Sequence, residues 1–346
     1  MAVTIKDVAK AARVSVATVS RALNDSGNVT EKTRRHVGAI AGKLGYVPHE
    51  AARSLSSRSR RTRCIGAVLP DLHGEFFSEL IRGIDRAARS HGLHILLSSS
   101  HGDADELAAA LLAMRGRVDG LLVMSAYADN EVLDRNLQPT LPAVLVNSGQ
   151  GGDRYSALVI DNFGGASAMV RHLVGRGHRR IAIIGGPEDN FDARERLAGY
   201  TAALHELKPG AKAQVLRGDF SEESGYKAGR RLISMSDRPD AVFAANDMMA
   251  IGCIFALTEA GLRVPDDIAV AGFDDIPIAR YVSPALTTVR VRISELGELA
   301  LERLVLAISE PGQDRHTVQT LRTELVVRSS CARPSSTMAI VPTSRR

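Results

Sequence analysis

The sequence predicts an N-terminal all-α helix-turn-helix head and, behind a short connecting segment, an α/β body of two doubly wound parallel-sheet subdomains. Three observations predict it. Residues 1–47 hold three short apolar stretches with helical spacing. From Cys64 onward, apolar strand-like runs alternate with amphipathic stretches. The charge divides at the same place: residues 1–63 carry 13 Lys/Arg and 4 Asp/Glu, so +9, and a chain total of +5 leaves −4 for the rest.

The length of 346 residues is enough for two or three domains. A basic head of +9 calls for a polyanion as partner. No apolar run reaches the ~18 residues of a membrane span, so no membrane partner is expected. Cys64, Cys253 and Cys331 are odd in number and far apart. They suit reduced thiols in a cytoplasmic protein better than a disulfide frame or a metal site.

In the head, Thr4 followed by Asp7 reads as a capping-box start, and Ile5, Val8, Ala9 and Ala12 then fall on one helical face. "RVS" breaks that helix. Ser15 caps a second one, in which Val19 and Leu23 face inward while Val16, Ala17, Thr18, Ser20 and Arg21 stay outside. After the turn cluster "NDSGN", Thr30 caps a third helix with Val37, Ile40, Ala41 and Leu44 on one face and Gly45 at its end. No one of these helices buries a core alone. Pooled, their faces make a helix-turn-helix whose second helix is shaped for a DNA major groove. Val16 and Ala17 permit close approach and thymine-methyl packing, Arg21 reaches guanine or phosphate, and Thr4, Ser15, Thr18 and Ser20 offer hydroxyls to the backbone.

The body reads as strand "CIGAVL", helix "EFFSELIRGIDRAARSHG", strand "HILLS", a helix over 103–115, then strands "GLLVM", "AVLVN", "IAIIGG", "AVFAAN" and "IAVAGF". Strands alternating with helices predict parallel βαβ units with buried strands. About a dozen strands exceed one compact sheet, hence two subdomains. No phosphate-binding glycine loop and no G-x-S-x-G elbow occurs. The adjacent carboxylates of "GFDDI" point apart on any regular element, which argues against a catalytic pair. No catalytic residue, metal ligand or cofactor is assigned, and an enzyme is not expected.

"TIKDVAKAARVSVATVSRALN" followed by "YVPHEAARSL" resembles the head of the lac repressor (LacI/GalR) family of bacterial transcription regulators, and residues 64–330 resemble that family's periplasmic-binding-protein-like core. The resemblance implies a division into a head over 1–47, a hinge helix and linker over 48–63, an effector-binding and dimerisation domain over 64–330 with crossovers near 160, 290 and 320, and a flexible tail over 331–346. It places Leu55 as the apolar wedge that a hinge pair inserts into the minor groove. His49, Ala52 and Arg53 fall on further hinge positions, His49 replacing the commoner Asn.

Polar or aromatic residues stand where the body's strands end. They include Asp71, Asp161 and Asp247, the last resembling a helix N-cap. The family's effector contacts fall on Phe76 or Phe77, Asn147, Asn190, Asp192, Arg196, Phe220, Asn246 and Asp274. Carboxylates and amides accept from hydroxyls, Arg donates in a fixed fork, and Phe offers a face to a sugar's C–H surface. The function so implied is a dimeric repressor of carbohydrate-utilisation genes. It would sit on a pseudo-palindromic double-stranded operator until a small sugar releases it. A corepressor of purine or sugar-phosphate type is the alternative. A sugar-processing enzyme with a DNA-binding-like head is another, and a transport binding protein would need a secretion signal.

Overall fold

The computed structural model describes residues 3–23, 29–46, 62–124, 130–148, 154–310 and 316–331, which form two units, a head and a body. The turn cluster at 24–28, the hinge positions His49, Ala52, Arg53 and Leu55, and the tail after Cys331 lie outside the described residues.

The head holds α1 (Ile5–Ala12), α2 (Val16–Leu23) and α3 (Glu31–Leu44). The Asp7 carboxylate reaches back to accept from the Thr4 N–H at 2.9 Å and from its hydroxyl at 2.7 Å. Those bonds hold the Asp7 carboxyl below its ordinary value. Ser15 accepts from the Thr18 N–H at 3.0 Å and starts α2. Val8, Ala9, Ala12, Val19, Ala22, Val37 and Ala41 make the miniature core. Leu23, Ile5 and Ile40 are half-buried and pack against this core, with Ala22 beside Val19. One inward position differs from expectation. Leu44 is 38% exposed. It sits in the last turn of α3, where Ala41 and the following Tyr46 take the core-facing places.

The body opens with β1 (Cys64–Leu69), α4 (Glu75–Ser90), β2 (His94–Ser99), α5 (Ala104–Met114), β3 (Gly120–Val123), α6 (Asn130–Asn136), β4 (Ala143–Val146) and β5 (Ser156–Ile160). It continues through α7 (Asn162–Gly175), β6 (Ile181–Gly185), α8 (Phe191–Leu207), β7 (Gln214–Arg217), α9 (Glu222–Ile233), β8 (Ala241–Ala244), α10 (Asp247–Glu259) and β9 (Ala269–Ala271). It ends with β10 (Thr288–Arg290), α11 (Ile293–Ser309), β11 (Val318–Leu321) and β12 (Glu324–Val326). One sheet has the order β11-β5-β4-β3-β1-β2 and the second β7-β6-β8-β9.

The β1–β3, β3–β4, β4–β5, β5–β11, β6–β7, β6–β8 and β8–β9 ladders are parallel. In both sheets the strand order reverses beside the first strand, so right-handed crossovers put helices on both faces. The chain passes from the first sheet to the helices of the second after Ile160, returns after Val291 into α11, and crosses again between β11 and β12.

Three expectations need correction. The strands are not all buried: β2 and β11 are largely exposed, because each is an edge strand with one neighbour. They are not all parallel either, since β10 and β12 form an antiparallel pair between the crossovers. And Cys331, placed at the start of the tail, is fully buried, its thiol 3.2 Å from the Val270 carbonyl.

Helices α4 and α11 pack together, as do α9 and α10. Glycines set these approaches. A Cβ at Gly83 would overlap the Ser294 carbonyl, and one at Gly225 the Met249 backbone.

Candidate functional site

On α2 the exposed side chains are Val16, Ala17 and Arg21, with Val16 at 41% exposure. Thr18 and Ser20 are half-buried at the edges of that face, and Val19 and Ala22 lie beneath it. The hydroxyls divide between surface and structure. Ser15 shares a 2.8 Å bond with Thr18, and Thr4 donates to Asp7. The face therefore offers a methyl-rich patch beside one guanidinium, a combination suited to base edges in a major groove.

In the body, Phe76, Phe77, Asn147, Asn190, Asp192, Arg196, Phe220, Asn246 and Asp274 line one cavity of about 90 Å³, together with Pro70 and Met124. Pro70, Met124 and Asn147 follow β1, β3 and β4, and the two phenylalanines stand in the first turn of α4. Asn190, Asp192 and Arg196 open α8, Phe220 follows β7, Asn246 precedes α10, and Asp274 follows β9. Every one lies beyond the carboxyl end of a strand, and all but Asn147, Phe220 and Asp274 follow β1, β3, β6 or β8, which flank the reversals of strand order.

The backbone there is held in uncommon conformations. Asn147, Phe220 and Asp274 have φ of 48°, 72° and 112°. Each costs ~1–3 kcal/mol for a residue other than glycine, and such strain concentrates at ligand sites. At Asp274 the source is visible: its N–H donates to the Val289 carbonyl at 2.8 Å, and its own carbonyl accepts from Val291 at 3.0 Å.

Arg196 is the hub. It is 3% exposed. Its Nε donates to Asn162 Oδ1 at 2.8 Å and one terminal nitrogen donates to the Ala245 carbonyl at 2.6 Å. The other terminal nitrogen lies 3.2 Å from Asp274 Oδ1. The guanidinium rests 3.9 Å from the centre of the Phe273 ring, with Phe220 at 6.0 Å. Asp192 accepts from Asn147 at 2.5 Å and from Asn162 at 2.8 Å. The Asn147 oxygen accepts from the Ile160 N–H at 3.2 Å.

Two buried carboxylates thus face one guanidinium, and among the described residues lining the cavity Arg196 is the one cation. Burial pushes Asp192 up to about 7 and Asp274 up to about 6, against the pull of Arg196. Asp274 Oδ1 is buried, and the Arg196 nitrogen at 3.2 Å is its close partner among the described residues, which leaves it room to accept a second donor.

Other strand-end carboxylates do different work. Asp71 accepts from the N–H groups of Leu72 and His73, and Asp161 caps α7 through Gly164; neither lines the cavity. Asp247 is not the N-cap of α10. That place belongs to Asn246, which accepts from Met249 at 3.0 Å and donates to the Phe220 carbonyl at 2.9 Å. Fully buried Asp247 instead accepts from the Ile276 N–H and the Thr288 hydroxyl, and burial drives its carboxyl well up. Asn190 likewise caps α8 through Ala193. Asp274 and Asp275 do point apart: Asp275 takes Arg290 at 2.7 Å and Arg328 at 2.5 Å. Sequence reasoning missed Asn162 and Phe273. The first looked like a neighbour of a helix cap and the second like the end of a strand. Among the described residues, no three potential metal ligands gather, and no helix is long and apolar enough to cross a membrane.

Comparison with known proteins adds a family. Residues 4–49 match the family described as bacterial regulatory proteins, lacI family, and residues 170–331 match a periplasmic binding protein-like domain. The HTH-type transcriptional repressor PurR of Proteus mirabilis is 40% identical over 334 residues, covering 95% of this chain and 97% of that protein. The lac repressor dimer bound to operator and the anti-inducer ONPF superposes with a TM-score of 0.82 at 30% identity, over 96% of this chain and 99% of that one. A complex of the transcriptional regulator CelR with cellobiose gives 0.69 at 32% identity, over 95% and 99%.

Proposed function

The chain belongs to the lacI family of bacterial regulatory proteins and is a DNA-binding transcriptional repressor; on that premise we propose that it acts as a homodimer on a pseudo-palindromic operator and answers to a small neutral sugar held in the body's cavity. The observation that carries the sugar is the balance of charge and acceptors. Two carboxylates outnumber one guanidinium, the buried Asp274 Oδ1 can accept a donor beyond its Arg196 partner, and Phe76, Phe77 and Phe220 supply apolar faces. A polyol brings hydroxyl donors and C–H faces without adding charge. A sugar phosphate brings anionic charge into a site already rich in it. A purine corepressor is the second reading, favoured by the same three phenyl rings, which a planar base would stack on.

The residues act by binding alone in this reading, and no enzymatic step is assigned. Asn147 on one subdomain and Asp192 on the other are bonded directly, so a sugar that enters must exchange that bond for its own hydroxyls. Its preference for one cleft geometry then sets the spacing of the two hinges. Differential affinity of ~5.5 kcal/mol would swing the population almost fully.

A thermal-shift screen of the full chain with D-ribose, D-glucose, cellobiose, D-glucose 6-phosphate and hypoxanthine tests the effector. A neutral sugar is expected to stabilise, by ~2.7 kcal/mol at a hundredfold excess over its Kd. Stabilisation by hypoxanthine or the phosphate alone would overturn the sugar. For the head, Arg21→Ala should cost ~1–3 kcal/mol of operator affinity and relax preference at one position per half-site, if the contact is to guanine. Anisotropy titrations against a selected operator and its single-base variants check this, and a uniform loss with unchanged preference would reassign Arg21 to phosphate.

A further inference from the structure

Asn162 does not line the cavity, yet it touches both charged groups that define it. Its amide nitrogen donates to Asp192 Oδ1 at 2.8 Å, and its carbonyl oxygen accepts from Arg196 Nε at 2.8 Å. The side chain is 2% exposed. An amide is the group that can do both jobs without charge: it offers a donor to a carboxylate and an acceptor to a guanidinium. Asp or Leu in that place would each fail at one bond or both.

Its position on the chain matters as much. Asn162 is the first residue of α7, two residues after β5 ends, at the first crossing between the sheets. Its predecessor Asp161 caps α7 through Gly164, and the Asp161 N–H donates to the Leu321 carbonyl on β11 at 3.0 Å. The backbone that carries Asn162 is therefore fixed to the first subdomain's edge, while its side chain holds two residues of α8 in the second. Close packing strengthens the tie, since a Cβ at Gly199 of α8 would overlap the Phe163 carbonyl.

We infer that Asn162 is a positioning residue of the cavity, which sets Asp192 and Arg196 in register from behind and joins them to the crossing between the subdomains. Calling the cavity an effector site rests on the function proposed above; the positioning itself does not. A ligand that pulls on Asp192 or Arg196 pulls through Asn162 on the segment where the two subdomains are joined.

The test uses the effector-free full chain. Carboxyl 13C NMR follows the titration of Asp192, its signal identified by loss in Asp192→Asn. The groups facing Asp192 are Arg196, Asn147, Asn162, Asp274 and Glu195. Asn162→Asp keeps an acceptor for Arg196 and turns the donor into a second carboxylate, and Asn162→Leu removes both bonds at similar volume. Both should move the Asp192 midpoint upward from about 7, the Asp variant further. Gly83→Ala, on the distant α4–α11 contact, supplies a destabilised control whose midpoint should stay put. An unmoved midpoint in both Asn162 variants, with melting temperatures lowered as in the control, would overturn the inference. A second arm repeats the D-ribose and cellobiose thermal shifts, where Asn162→Asp should lose tenfold or more in apparent affinity. If none of D-ribose, D-glucose and cellobiose stabilises the parent, the effector reading fails while the NMR arm still decides for or against Asn162.

Discussion

Arg196→Met should destabilise the body by ~3–5 kcal/mol at pH 8, the range for removing one partner of a buried ion pair. The loss has three sources. Two directed hydrogen bonds vanish, to the Ala245 carbonyl and to Asn162. The stacking on Phe273 becomes a thioether contact. Above all, Asp192 and Asp274 stay buried with no cation beside them among the described lining residues. The carboxyls escape by binding protons. Arg196 opposes the effect of burial on both, joined at Asp192 by the Asn162 bond, so without it both rise above about 7 and about 6. The destabilisation should therefore be smaller at pH 5, where both are protonated with or without the arginine and only the lost hydrogen bonds and ring contact remain, and should grow as pH rises. Arg196→Lys restores a charge but not the fork that spans Ala245 and Asn162. It should recover part of the stability and none of the sugar response. Urea denaturation at pH 5 and pH 8 measures this. A Met variant as stable as the parent at pH 8 would show that the guanidinium does not hold the carboxylates.

The prominence of Arg196 was half legible in the sequence. "NFDARERLAG" places an Arg one turn into a helix that follows a strand, and the family resemblance marks it. What the sequence hid was its surroundings. Phe273 ends the run "IAVAGF" and reads as one more strand residue, yet its ring centre lies 3.9 Å from the guanidinium. Asn162 follows Asp161 in "VIDNF", where the Asp stands at the strand end and the Asn one place further on is passed over. Stacking and relay bonds join residues 30 to 77 positions apart, and no periodicity carries that information. The nine cavity positions were easier, because one rule found them: polar or aromatic side chains at the carboxyl ends of parallel strands converge. The same rule over-reached at Asp71 and Asp161, which satisfy local N–H groups instead. Strand positions were legible because buried parallel strands are unbroken apolar runs. Edge exposure and the antiparallel β10–β12 pair were not, since both depend on which strands end up as neighbours.

Asp192→Asn should change how stability depends on pH, and the direction follows from the burial of that carboxyl. Its folded value of about 7 stands above its ordinary 3.8. Below the ordinary value both folded and unfolded chains hold the proton. Between the two values the native chain keeps a proton that the unfolded chain has released, so stability falls as pH rises, and the fall ends once pH passes about 7. Asp274, at about 6, adds a slope of the same sign over a narrower window. Asparagine cannot ionise, so the variant should lose the Asp192 share of the slope and keep that of Asp274. Its amide cannot accept from both Asn147 and Asn162, and the bond left unmade costs ~1–3 kcal/mol at every pH. At pH 5 the variant should thus be the less stable protein. By pH 8 the relief of a buried charge, on the order of 2–3 kcal/mol after local relaxation, should cancel or reverse that deficit. The quantity to measure is the difference in unfolding free energy between parent and variant, from urea titrations between pH 5 and pH 8.5. A difference that stays constant across that range would mean that Asp192 keeps its charge throughout and that burial does not raise its carboxyl.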